Sequence, residues 1–513
     1  MKDEDRQFES LKRQLPKIWY ALHSDPEHEH TSVIVPSLSV DQEELAKVLG
    51  AAYYEERLLF ALIRLRNPNA RLIYITSQPV HPDIVDYYLQ LLDGVSLKHA
   101  HQRLHMLSVY DASARPLTEK VLERPRLIAR IRKLIGDQDQ AYLTCYNSTH
   151  LERSLALKLG VPLNGVDPAL LGYGTKSGNR RVFAEAGIGF PAGYEDLRSE
   201  DDIVQALRKL GAERPDMRRA VVKLNEGFGG EGNGVFTYPD NRDDDAAIRD
   251  SLHRLSWTSS TETASSFLRK FAAMGGIVEE LVSADEIRSP SVQMRVQPDG
   301  VARVVSSHEQ VLGGATGQSY LGCRFPASDD YRSLLLDEAR KVGQVLAEKG
   351  VLGRFAIDFL AYRDVQGAWR AKAIEINLRM GGTTPPYHAL EFLTHGALDD
   401  ATGLFHAPDG KAKYYSATDN LKSSQYRGLL PEDLFDIIAR HGIGFRHTTG
   451  CGALFYMIGA LSQYGKVGLT CIGNTPEEAQ ALFERAAEVL DAETDGDGHG
   501  EQAPLLDRYI SME

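Results

Sequence analysis

An acid set inside an apolar β-run is costly to bury, and this chain places two in neighbouring runs. Residues 355–377 (FAIDFLAYRDVQGAWRAKAIEIN) read as two strands joined by a turn at Asp364–Gly367. Asp358 lies in the first run, Glu375 and Asn377 in the second. Side chains two apart on a strand share a face, so Glu375 and Asn377 project together, and a facing strand can bring Asp358 alongside. Two carboxylates and an amide oxygen are hard ligands that suit a Mg²⁺ ion also holding nucleotide phosphates; the alternative is an ordinary solvated sheet face. Arg379 falls two further on, on the same face if the strand persists, where its guanidinium fork would meet metal and phosphates. The segment GGTTPP (381–386) then ends the strand and offers further amide donors.

The second feature is Lys223, at the end of the run AVVK, followed by Gly227, Gly229, Gly230, Gly232 and Gly234. Five glycines in eight residues leave backbone amides free to cradle an anion, and a neighbouring lysine neutralises charge. A plain flexible hairpin is the alternative. The other lysine after glycines, Lys176 in GYGTKS, has no glycine immediately before it, so it does not make a Walker A loop. Its glycines fall as GxGxxxG with no clear preceding strand, which is not a dinucleotide fingerprint either. The third feature is Glu279-Glu280-Leu281-Val282 running through Ser-Ala-Asp to Glu286. A strand ending in a polar turn suits a hinge that pairs with adenine while an acid accepts from ribose hydroxyls; alone, it is equally an ordinary strand end.

Around these segments the chain is long enough for about three domains. Its 513 residues are 42% hydrophobic and 25% charged, which excludes wholesale disorder. The net charge of −13 argues against general binding to nucleic acid or anionic membrane. Cys145, Cys323, Cys451 and Cys471 show no metal-ligand spacing and read as inert thiols of a reducing cytosol. The charged N-terminus has no apolar signal region, and no run approaches the ~18 apolar residues needed to span a bilayer. A cytoplasmic protein is the expectation.

Residues 1–162 alternate strand-like runs (Ser32–Pro36, Arg71–Thr76, Leu104–Val109, Ala141–Cys145) with helical patterns, including Glu43–Arg66, as a parallel α/β layer does. Residues 163–400 read as α+β with antiparallel strands. Residues 401–513 form a small α/β module with a hairpin around SQYG, then a helix started by Thr475, Pro476 and Glu478. Asp491–Gly500 reads as a surface loop that fails as a calcium loop, because no glutamate closes it.

In their order as well as their parts, these segments resemble the ATP-grasp superfamily over roughly Leu163–Pro386, with residues 1–162 like its pre-ATP-grasp α/β domain. EINLRMGGTTPP and ALSQYGKVGLTCIGNTPEEA further resemble the peptide-ligase branch related to pheganomycin ligase. The resemblance implies a two-lobed ATP-grasp domain binding ATP and Mg²⁺ (or Mn²⁺). Lys176 and Lys223 become the phosphate lysines, Gly227–Gly234 the lid, Glu279–Val282 the adenine hinge and Glu286 the ribose acid. Asp358, Glu375 and Asn377 become the metal ligands, and Arg379 the phosphate arginine. The implied reaction joins a small-molecule acid to an amine, an amino acid or peptide, through an acylphosphate, releasing ADP and phosphate. A phosphorylated-metabolite or thiol acceptor, or a non-catalytic ATP-binding regulator, are the alternatives. A homo-oligomer is an expectation resting on the resemblance alone.

The substrate pocket is sought between hinge and metal set, in SSHEQVLGGATGQSYLGCRFP (306–326). His308 or Glu309 there could orient or deprotonate the amine; an isolated His-Glu pair is also a common structural feature, and no second histidine makes it a zinc motif. Arg288 and Arg295 could bind a substrate carboxylate or simply be solvated.

Overall fold

The runs SVIV, RLIYIT and AYLTC are apolar nearly throughout, as strands buried on both faces must be. In a computed structural model that describes residues 3–40, 45, 48–227, 232–257, 262–313 and 319–494, they become β1 (His30–Val35), β2 (Ala70–Thr76) and β4 (Ala141–Cys145). With β3 (Leu104–Ser108) they form a parallel sheet of order β3-β2-β1-β4. The helix expected over Glu43–Arg66 is a tight 3-10 helix over Ala51–Arg66; Glu43 and Glu44 lie outside the described residues.

A five-stranded antiparallel sheet follows, of β5 (Gly193–Leu197), β6 (Arg219–Leu224), β7 (Asn233–Thr237), β8 (Ser256–Trp257) and β9 (Gly276–Glu280), in order β5-β9-β6-β7-β8. It carries a core of its own around Phe236, Phe267 and Phe271. The chain then builds a larger sheet from β10 (Ile287–Arg288), β11 (Pro290–Val296), β12 (Ala302–Gly313), β13 (Ser319–Phe325), β14 (Gly353–Arg363) and β15 (Trp369–Asn377). The hairpin β14–β15 turns where the sequence predicts: Gly367 donates its N–H to Asp364 O at 2.8 Å with φ +79°, and the Asp364 carboxylate accepts from Gln366 and Ala368.

The last region adds β16 (Ala397–Leu398), β17 (Phe405–His406), β18 (Ala412–Lys422), β19 (Gly452–Tyr456) and β20 (Lys466–Gly473). Because β13 pairs with β18, these strands continue the large sheet to eleven strands. One core cluster runs from Ile34 and Leu58 through Phe325 and Leu390 to Leu469 and Leu490, so the first and last regions share buried apolar surface with the middle one. The Thr475 hydroxyl caps the final helix, accepting from Glu478 N–H at 3.1 Å, while the Glu478 carboxylate reaches back to Asn474 N–H. That helix runs Pro476–Thr494, so the loop expected from Asp491 begins later; residues 495–500 lie outside the described residues. All four cysteines are buried and free. Among the described residues no helix is long and apolar enough to cross a membrane.

Candidate active site

Lys176 opens the helix Lys176–Ala186, and its place is set by glycine and hydrogen bonds. The Thr175 hydroxyl accepts from Gly178 N–H at 3.0 Å; a Cβ on Gly178 would lie 1.9 Å from Gly172 O, so only glycine fits there. Asn225, just past β6, clips the helix start to the strand end: its carbonyl accepts from Lys176 N–H at 3.1 Å and its Oδ1 from Ser177 N–H at 2.9 Å. Lys176 and Lys223, the latter on β6, therefore share one hydrogen-bonded corner. Both ammonium groups are buried on acids, Lys176 on Glu375 and Lys223 on Glu279.

Across the corner, Asp358 faces Glu375 directly on β14 and β15, and Asn377 follows on the same face. Asp358 accepts from Gln310 Nε2 at 2.8 Å and from Asn377 Nδ2 at 2.9 Å. Burial, with the charge of Glu375 behind it, pushes Asp358 up to about 6. Burial would raise Glu375 too, but Lys176, then Arg379 and Lys223, override it and hold it below the ordinary range. Two half-buried carboxylates face to face beside an amide: this donor set fits a hard divalent cation.

The strand does not persist to Arg379. It ends at Asn377, whose carbonyl accepts from Arg379 N–H at 2.8 Å, yet the guanidinium charge still lowers both Asp358 and Glu375. Met380 N–H, donating to Tyr146 O at 3.1 Å, ties this loop to the end of β4.

Of the expected hinge, the first two residues lie within a strand paired on both sides. Glu279 and Glu280 have backbones committed to β5 and β6, and their side chains are ion-paired, Glu279 with Lys223 and Arg180, Glu280 with Lys372 and Arg214. The strand ends at Glu280, leaving Leu281 and Val282 just past it. Glu286 is half-buried beyond them, accepting from Arg363 at 2.8 Å and Arg288 at 3.2 Å. Of the glycine segment, Gly227 is exposed and Gly232, at φ +79°, returns its carbonyl to Leu224 N–H at 2.9 Å; Gly229 and Gly230 lie outside the described residues.

His308 and Glu309 do not come together. Adjacent on β12, they point to opposite faces. His308 is fully buried, its Nε2 2.5 Å from Tyr415 Oη and its ring against Phe325, and burial pushes it down to about 3. Glu309 accepts from Ser328 N–H at 3.0 Å and Tyr331 Oη at 2.5 Å on the other side. The residue of this stretch that reaches the carboxylate pair is Gln310, two along from His308 and so on its face. The sequence singles out neither Gln310 nor Asn225; strand alternation is the available signal for Gln310. Arg288 pairs with Glu286, and Arg295 lies apart, in a cavity with other arginines.

The chain matches the IQCH-like ATP-grasp family over residues 169–238 and 246–401, and the PGM1 C-terminal domain over residues 433–486. It is 32% identical to the L-propargylglycine–L-glutamate ligase of Streptantibioticus cattleyicolor, over 90% of this chain and 94% of that one. It is 23% identical to IQ motif-containing protein H of Danio rerio, over 90% of this chain but only 48% of that protein, about half its length. Among solved structures, the biotin carboxylase domain of the Hydrogenobacter thermophilus 2-oxoglutarate carboxylase, in complex with MgADP, ADP and bicarbonate, superposes with a TM-score of 0.54 at 12% identity, covering 90% of each chain; that likeness is one of fold. With the ligase relative spanning nearly the whole chain, the protein belongs to the ATP-grasp family, as an ATP-dependent carboxylate–amine ligase.

Proposed function

We propose that the protein activates a small carboxylic acid with MgATP as an acylphosphate and passes the acyl group to an amine, the partners being amino acids or short peptides of the kind named for its ligase relative. The observation that carries this reading is the corner of Lys176, Lys223, Glu375 and Asp358: two cations resting on acids where a polyphosphate needs cations, beside a paired-carboxylate seat.

On nucleotide binding, Lys176 and Lys223 exchange their acids for the α- and β-phosphates. The backbone past Glu280, at Leu281 and Val282, takes the adenine edge, Glu286 the ribose, and the segment Gly227–Gly234 covers the phosphates. Asp358, Glu375 and Asn377 hold Mg²⁺, or Mn²⁺ with its similar oxygen preference. Bound there, the ion neutralises the phosphate oxygens. A substrate carboxylate oxygen bonds to the γ-phosphorus as the bond to the β-phosphate bridging oxygen breaks, giving acylphosphate and ADP. Arg379 stabilises charge on the transferring group. The amine then bonds to the acyl carbon, the C–O bond to phosphate breaks, and the amine proton passes to solvent. Acylphosphates hydrolyse, so covering the phosphates protects the intermediate. His308 and Glu309 have no part in these steps. A cytoplasmic ATP supply suits the reaction.

Nucleotide product analysis tests this. Purified protein with ATP, Mg²⁺ and pooled amino acids is expected to form ADP and phosphate only when acid and amine are both present. AMP and pyrophosphate would replace the mechanism with adenylation.

A further inference from the structure

Away from the carboxylate pair, a cavity of about 120 Å³ lies where the first α/β layer meets the large sheet. It is lined by Arg64 of the 3-10 helix, Arg295 of β11, Arg354 of β14, Thr144 of β4, and His388 of the helix Thr384–Thr394. Arg295 and Arg354 are direct cross-strand partners, and like charges placed opposite each other are destabilising. Arg64 arrives from a segment more than two hundred residues away in sequence and adds a third positive charge.

The cations are not answered from within. Among the described residues lining the cavity there is no carboxylate. The nearby acid whose field reaches Arg295 and Arg354 is Glu391, already hydrogen-bonded to His388 Nδ1 at 2.8 Å. Arg295 and Arg354 therefore share one committed carboxylate, and Arg64, whose guanidinium lies 5.3 Å from the Tyr142 ring centroid, adds its charge beside them. The Nη1 atoms of Arg64 and Arg354 and the Thr144 hydroxyl are buried without a hydrogen-bond partner. A buried donor left without a partner destabilises the fold. Burial, then the neighbouring guanidinium groups, lowers Arg295 to about 10, as expected of cations crowded together. His388 is held neutral by burial and by Arg354, pushed down to about 4, so it adds no charge of its own.

We propose that this cavity is a binding site for a small oxyanion, a carboxylate or phosphate group, seated between Arg64, Arg295 and Arg354. The planar guanidinium forks match either group bidentately. The cavity has room for an anionic head group between the guanidinium groups. Because the three arginines come from two layers, the bound anion clamps the first α/β layer to the ATP-grasp sheet. Met380, next to Arg379, also lines the cavity and couples it to the phosphate arginine's loop.

The anion has two sources, a carboxylate of one of the two substrates or a free anion. The test is the thermal midpoint of the full-length protein, without nucleotide, against glutarate, orthophosphate and neutral glutaramide at matched ionic strength. Glutarate or orthophosphate is expected to raise Tm by about 2 °C or more at millimolar concentration, with glutaramide inert. Arg354→Met and the milder Arg64→Gln are expected to abolish the shift while leaving anion-free Tm equal or higher, because repulsion is relieved. KM for one substrate rising at least tenfold in Arg64→Gln, with KM for ATP unchanged, identifies the substrate as the source; unchanged KM values with the Tm shift lost identify a free anion. No shift in the wild-type protein, or an equal shift in both variants, overturns the proposal. The Tm readouts need no turnover, so a failure of the ligase reading leaves them intact.

Discussion

The ammonium of Lys176 rests on the carboxylate of Glu375, so the start of the helix Lys176–Ala186 and the end of β15 are joined by an ion pair. Both groups are deep enough that leaving either alone is costly. The pair therefore keeps both charges satisfied in the folded chain, and in the proposed reaction nucleotide and metal would take its place.

The first consequence concerns Glu375→Gln. The amide keeps the shape but cannot neutralise Lys176 or complete the carboxylate pair. ADP formation is expected to fall about 100-fold or more, the scale of losing one preorganised electrostatic contact. Circular dichroism should show the fold retained. Near-normal turnover would remove Glu375 from the metal set.

Gln310 holds Asp358 at 2.8 Å and so aims it. Gln310→Leu is expected to weaken Mg²⁺ dependence and activity by about 10–100-fold, as loss of a ligand's orienting partner does. Glu309→Gln, by contrast, should leave the pH profile of ADP formation unchanged and cost only stability, about 1–3 kcal/mol, by disturbing the contacts to Ser328 and Tyr331. A shifted pH profile in Glu309→Gln would return it to the chemistry.

Gly178→Ala places a methyl against Gly172 O, which must move. The predicted destabilisation is about 1–3 kcal/mol, and because Lys176 sits two residues before, KM for ATP should rise with it. An unchanged KM would mean that the helix start does not position the lysine.

Glu55 and Glu56 are buried in the 3-10 helix, and burial raises them to about 7 and about 8. Unfolded glutamates titrate near 4.3. Between these values the native state binds more protons than the unfolded chain, so stability is greatest below the unfolded value and falls as pH rises through about 7 to 8. Urea midpoints between pH 5 and 9 should decline accordingly, and Glu56→Gln should flatten the decline. The same slope in that variant would contradict the assignment.

The turn at Asp364–Gly367 and the alternation in AIEIN were enough to bring Asp358, Glu375 and Asn377 together, because a hairpin's register is local. Alternation also separates His308 from Glu309, and treating them as one unit ignored it. What no local pattern carries is partnership over long separations: Asn225 clipping Lys176, β13 pairing with β18, and Arg64 joining Arg295 and Arg354. The surroundings of Glu279 and Glu280 were illegible for a different reason. Both acids had ion-pair partners, Lys223 and Lys372, that only the packed sheet reveals.

The most direct test of the central claim uses acid substrate labelled with ¹⁸O in its carboxylate. If the carboxylate attacks the γ-phosphorus and the amine later breaks the C–O bond, one labelled oxygen per amide formed must appear in orthophosphate, with none in the nucleotide. Label recovered in AMP, or orthophosphate free of label while amide accumulates, would contradict the account.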